Sequence, residues 1–170
     1  IDELHSALDP KAYRKAVALL AESEFIDIFG VENSLTPAMD LFTKLGYLGL
    51  TCRLNTDAYL QQIGAGHLPH GAVAVAFSHS GSSADTVKAL RLAKSHGAKT
   101  IAITNAIGAP LASWADVTLL TGRDSHTIYG NAIFSRVADT ALVDMLYMGV
   151  ILSDYGRFST ALDESGRMIR

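Results

Sequence analysis

The chain has 170 residues, 49% of them hydrophobic and 18% charged, with a formal net charge of −3. That length suits one domain with a sizeable core, and the charge balance leaves no basic footprint for nucleic acid on this chain. A small anionic ligand is not excluded, because a local helix dipole outweighs a weak global field. The single Cys52 rules out an internal disulfide framework and suits a reducing cytosol. No Cys pair or His-x-x-x-His spacing points to a metal, and no residue pattern points to a cofactor. No signal peptide is visible. The apolar stretch from Ala141 to Leu152 is broken by Asp144 and too short to span a bilayer, so no membrane partner is expected. The sequence starts at Ile1, not Met, so a preceding segment is expected.

Asp9-Pro10 ahead of Lys11 to Leu20 predicts an N-capped helix with Pro at its first position. Glu24 to Val31 is a short β-like run ending near Gly30. Thr36-Pro37 opens a second helix, with Ala38, Leu41, Phe42 and Leu45 as its apolar stripe. Gly49 to Asn55 predicts a second strand, and Asp57 to Ile63 a short helix stopped by Gly64-Ala65-Gly66. Ala72 to Phe77 is continuously apolar, as a parallel strand buried on both faces should be. Ala84 to His96 predicts a helix closed by Gly97, with Val87, Leu90, Leu92 and Ala93 toward a core. Thr100 to Thr104 is a fourth strand, a short helix ends near Trp114, and Val117 to Thr121 is a fifth strand. A long helix is predicted from Asn131 to Ser153, placing Met145, Tyr147 and Met148 in the core or a dimer interface. The tail from Gly156 is polar. This alternation predicts an α/β fold: a doubly wound, five-stranded parallel sheet flanked by helices. Ligands of such sheets bind beyond the carboxyl ends of the strands, at a topological switch point.

Two loops fall at such ends. Phe77-Ser78-His79-Ser80-Gly81-Ser82-Ser83 joins the third strand to a helix start. Free backbone N–H groups and the helix dipole favour an anion there. Ser78, Ser80, Ser82 and Ser83 add hydroxyl donors, and Gly81 permits close backbone approach or φ > 0. The loop carries no Lys or Arg and no P-loop pattern, which suits a compact phosphate over a nucleotide triphosphate. The plainer alternative is a Ser-rich turn with a helix cap. The second loop, Gly30-Val31-Glu32-Asn33-Ser34, follows the first strand.

The pattern Ser78-x-Ser80-Gly81-x-Ser83-x-Asp85-Thr86 resembles the S-x-S-G-x-T/S-x-E-T signature of sugar isomerase (SIS) domains. Ala93-Lys94-x-x-Gly97-Ala98-Lys99-Thr100-Ile101-Ala102-Ile103-Thr104-Asn105 and Pro110-Leu111-Ala112-x-x-Ala115-Asp116 are similar to the segments that follow in that family. The resemblance runs from about Leu19 to Met148. It implies a flavodoxin-like sheet that binds a phosphosugar. Within the family, the chain most resembles the effector domain of RpiR-type bacterial transcription regulators. The leader from Leu8 to Ser34 carries that likeness, as do Ser135-Arg136-Val137-Ala138 and Val143-Asp144-Met145-Leu146.

The resemblance implies a leader helix over 1–24, a SIS phosphosugar-binding domain over 25–170, and a DNA-binding helix-turn-helix domain ahead of this sequence. It also implies a cytoplasmic homodimer or higher homo-oligomer whose small-molecule partner is a sugar phosphate. The implied ligand contacts are Ser78, Ser80, Gly81, Ser82 and Ser83, with Asn33, Ser34 and His79 beside them. Ser34 has the alternative of capping the next helix, and His79 either assists the anion as a cation or faces solvent. The family's first loop usually reads G-x-G-x-S, and Glu32 stands where a glycine is usual. Glu32 either repels phosphate or accepts from sugar hydroxyls. Arg136 is expected in a structural ion pair. A phosphosugar isomerase is the alternative function. Related isomerases place a Glu near the start of the helix after the fifth strand, whereas Thr127 to Arg136 contains no carboxylate. Glu32 and His126 are then the remaining acid/base candidates, and a non-catalytic sensor is the preferred expectation.

Overall fold

A short helix, α1 (Asp2–Ala7), comes first. Asp9 then caps α2 (Pro10–Glu22), accepting from the N–H groups of Lys11 at 3.2 Å and Ala12 at 3.1 Å. The computed structural model describes residues 2–122 and 136–170. Strand β1 (Ile26–Phe29) leads through a 3-10 turn into α3 (Leu35–Tyr47). Next come β2 (Cys52–Leu54), α4 (Ala58–Ala65), β3 (Val73–Phe77) and α5 (Ala84–Ser95). Strand β4 (Lys99–Thr104), a 3-10 turn over Pro110–Trp114 and β5 (Val117–Leu120) complete the sheet. Helices α6 (Val137–Ser153) and α7 (Tyr155–Met168) follow.

All strand pairs are parallel, in the order β2-β1-β3-β4-β5. The five-stranded α/β sheet expected from the sequence is therefore present. Alternation along β3 divides the core. Val73, Val75 and Phe77 join the cluster that packs under α2, α3 and α6. Ala74 and Ala76 join Ala89, Leu90 and Ala93 of α5 on the other face. Small side chains there let α5 approach the sheet closely, while large ones fill the α3/α6 side. Cutting buried Leu20 or Phe77 back to Ala would cost about 2–5 kcal/mol.

This division positions the site. The chain leaves β1 toward α3 on one face and leaves β3 toward α5 on the other. β1 and β3 are neighbours, so their carboxyl ends flank a topological switch point. Helix α2 lies against α6, where the Tyr13 hydroxyl donates to the Met145 carbonyl at 2.6 Å. Gly149 makes that approach possible, since a Cβ there would lie 2.4 Å from the Tyr13 hydroxyl.

The polar tail from Gly156 forms a helix. Asp154 caps α7, accepting from Arg157 N–H at 3.1 Å, and Phe158 is buried. Only a narrow side of α7 meets the core, so its sequence is mostly polar. No helix among the described residues is long and apolar enough to cross a membrane.

Candidate functional site

The loop after β3 is held from below. Ser78 N–H donates to the Ile103 carbonyl at 3.1 Å, and Gly81 N–H closes a turn on the Ser78 carbonyl at 3.0 Å. The His79 carbonyl accepts from Asn105 N–H at 3.0 Å and from the Thr104 hydroxyl at 3.1 Å. Gly81 has φ +62°, and a Cβ there would lie 2.3 Å from the Ala109 Cβ. Both its conformation and its packing require glycine.

The loop after β1 is pinned by buried Gln61. Its Oε1 accepts from Gly30 N–H at 3.2 Å, and its Nε2 donates to the carbonyls of Gly30 at 2.7 Å and Asn55 at 2.8 Å. Ser34 N–H then closes a turn on the Val31 carbonyl at 3.0 Å.

These two loops and the start of α6 enclose an open cavity of about 400 Å³. Ser78, His79, Ser80, Ser82 and Ser83 line it from one side, and Glu32, Asn33 and Ser34 from the other. Gly81 lies buried within the serine loop. The residues singled out for binding thus fall in or directly beside one cavity.

The capping alternative fails for both serines. Ser83 stands at the N-cap of α5 and Ser34 at that of α3, and neither side chain makes a capping bond. Ser83 Oγ instead accepts from the Thr86 hydroxyl at 3.3 Å. Ser80 and Ser82 hydroxyls lie 3.0 Å apart. Ser82 N–H also donates to Ser80 Oγ at 3.3 Å, which leaves the first-turn N–H groups of α5 and the Ser80 and Ser83 hydroxyls available to an acceptor.

Arg136, expected in a structural ion pair rather than a ligand contact, stands at the N-cap of α6 and lines the cavity. That ion pair is marginal, with Nη1 4.0 Å from Asp139 Oδ2. Its Nε and Nη1 are buried and make no hydrogen bond among the described residues. Burial pushes the Asp139 carboxyl up, against a hydrogen bond from Thr121 and the fields of His79 and Arg136. A helix following the last parallel strand starts at the carboxyl edge, and that topology is the signal that locates Arg136. Arg123, Asp124, Ser125 and His126 lie outside the described residues.

Other conspicuous residues have structural work. Asp116, from the P-L-A-x-x-A-D segment, sits at the amino edge of the sheet. It accepts from Thr100 N–H at 2.9 Å, the Thr100 hydroxyl at 3.1 Å and Lys94 Nζ. Burial pushes the Cys52 thiol up to about 12, which keeps it protonated and unreactive. No group of three or more His, Cys, Asp or Glu among the described residues is placed to hold a metal ion.

A parallel α/β sheet thus carries a hydroxyl-rich cavity at its switch point. Residues 19–149 match the family model of the SIS domain, and the chain belongs to that family. It is 30% identical over 169 residues to an uncharacterized HTH-type transcriptional regulator of Caldanaerobacter subterraneus, covering 99% of this chain and 60% of that protein. The NanR protein of Vibrio vulnificus, solved in complex with ManNAc-6P, superposes with a TM-score of 0.90 at 26% identity. That match covers 99% of this chain and 64% of NanR. The sugar isomerase domain of an RpiR transcription factor from Sphaerobacter thermophilus has the same fold, with a TM-score of 0.87 at 23% identity over 98% of this chain and 91% of that one. The chain spans between half and two thirds of the curated relatives it matches.

Proposed function

We propose that this chain is the effector domain of an RpiR-type transcription regulator and binds a sugar phosphate in the pocket between β1 and β3. The observation that carries this reading is the set of uncapped helix starts. α3 and α5 both begin at the pocket without a side-chain cap from their N-cap serines, whereas α2, α4 and α7 begin elsewhere and are capped by Asp9, Asp57 and Asp154. Ser78, Ser80, Ser82 and Ser83, with the α5 backbone beside Gly81, receive the phosphate, and Arg136 supplies the cation. Asn33, Ser34 and His79 face the rest of the ligand. ManNAc-6P in the NanR complex supports a sugar phosphate as the ligand class.

The domain is a sensor, not an enzyme, and it works as a cytoplasmic homo-oligomer. Residues 1–24 form the leader to a DNA-binding domain ahead of it. Met145, Met148, Leu152 and Tyr155 make an exposed apolar stripe that supports self-association. Ligand acts by binding one assembly state more tightly than another. A thermal-shift screen with sugar phosphates, each beside its unphosphorylated sugar and followed by product analysis, tests this. A phosphate-dependent rise in melting temperature without turnover is expected. Turnover would make the chain an isomerase.

A further inference from the structure

Glu32 is the only non-glycine residue with a positive φ among the described residues, at +51°. That region favours glycine, and an unbranched acidic side chain there strains the backbone. The strain is imposed by a built loop: Gln61 clamps Gly30, and Ser34 N–H closes on Val31. The side chain is exposed and lines the pocket. Of the two carboxylates there, Asp85 accepts from Gln62 Nε2 at 3.0 Å. Glu32 makes no hydrogen bond or ion pair among the described residues, and the carboxylate near Arg136 is that of Asp139, at 4.0 Å.

A carboxylate accepts hydrogen bonds and donates none. Whatever faces Glu32 must donate, and a second carboxylate facing it would be repelled. We infer that Glu32 is a specificity-determining residue that selects sugar phosphates presenting hydroxyl or ammonium donors and rejects phosphorylated sugar acids. This rests on the phosphosugar reading above and adds the class of sugar.

Calorimetry distinguishes failure of this inference from failure of the phosphosugar reading. Wild type, E32G and E32Q are titrated with glucose, fructose, glucosamine and N-acetylmannosamine 6-phosphates, and with 6-phosphogluconate. The S80A/S83A variant serves as the control for phosphate dependence. Wild type is expected to prefer a non-acidic sugar phosphate over 6-phosphogluconate by about tenfold or more. E32G should lose about tenfold for that ligand while its unliganded melting temperature rises by roughly 2–4 °C, because strain is relieved. E32Q, which keeps the strained backbone, should narrow the preference without that rise. A merely structural residue would not move stability and affinity in opposite directions. Tighter binding of 6-phosphogluconate by wild type, or unchanged affinity in E32G, overturns the inference and leaves the pocket reading intact. No phosphate-dependent binding of any of these ligands would overturn both.

Discussion

The two edges of the sheet treat their polar groups in opposite ways. At the amino edge, Asp116 draws Thr100 and Lys94 into a closed network, and the Thr100 hydroxyl also donates to the Trp114 carbonyl at 2.7 Å. At the carboxyl edge, around the β1/β3 switch point, the N-cap serines of α3 and α5 make no capping bond, and Arg136 Nε and Nη1 lack acceptors among the described residues. Helix α4 shows that openness belongs to the pocket and not to the edge as a whole. It follows β2 at the same edge, lies off the pocket, and is capped by Asp57, which accepts from Leu60 N–H at 2.9 Å. Polar groups that complete each other hold a fold together. Polar groups left open in a concave site wait for a ligand.

Substitutions at the two edges should therefore separate binding from stability. S80A/S83A should weaken sugar phosphate binding most, by roughly a hundredfold in calorimetry, with the melting temperature little changed. R136Q should cost about ten- to a hundredfold in affinity, since one charge-assisted contact is lost. D116A should do the reverse. It should lower stability by about 2 kcal/mol in denaturant titrations and leave the dissociation constant unchanged. D9A, which removes one helix cap away from the pocket, should cost about 1 kcal/mol and also spare binding.

Acid sharpens the same contrast. Burial alone would raise the Asp116 carboxyl, but Lys94 and Thr100 outweigh it and hold it below the usual range. Its folded value lies below its unfolded one, so its contribution to stability is present above about pH 4 and lost as pH falls through the folded value. The stability difference between wild type and D116A should shrink over that window in denaturant titrations taken at successive pH values.

The strands were legible because β3 is a continuous apolar run, β4 centres on Ile101-Ala102-Ile103, and Gly and Pro mark the turns between elements. The serine loop was legible because hydroxyls, a glycine and a helix start lie within one short stretch of sequence. Arg136 was not, because its place depends on a helix returning from β5 to the same edge as β3, far along the chain from the serine loop. The departure at Glu32 was visible, but its left-handed backbone and lack of a partner are properties of the folded loop. Helix α7 was missed because its buried residue, Phe158, gives too weak a periodic signal in a polar segment.

An amide NMR titration with the tightest-binding sugar phosphate decides whether the β1/β3 pocket is the ligand site. Shifts are expected in the backbone amides of residues 80–86 and 33–36 and in the Arg136 side chain, with the Thr100 and Asp116 amides unmoved. Shifts confined to the amino edge, or none in the serine loop at saturation, would place the ligand elsewhere and refute the pocket as its site.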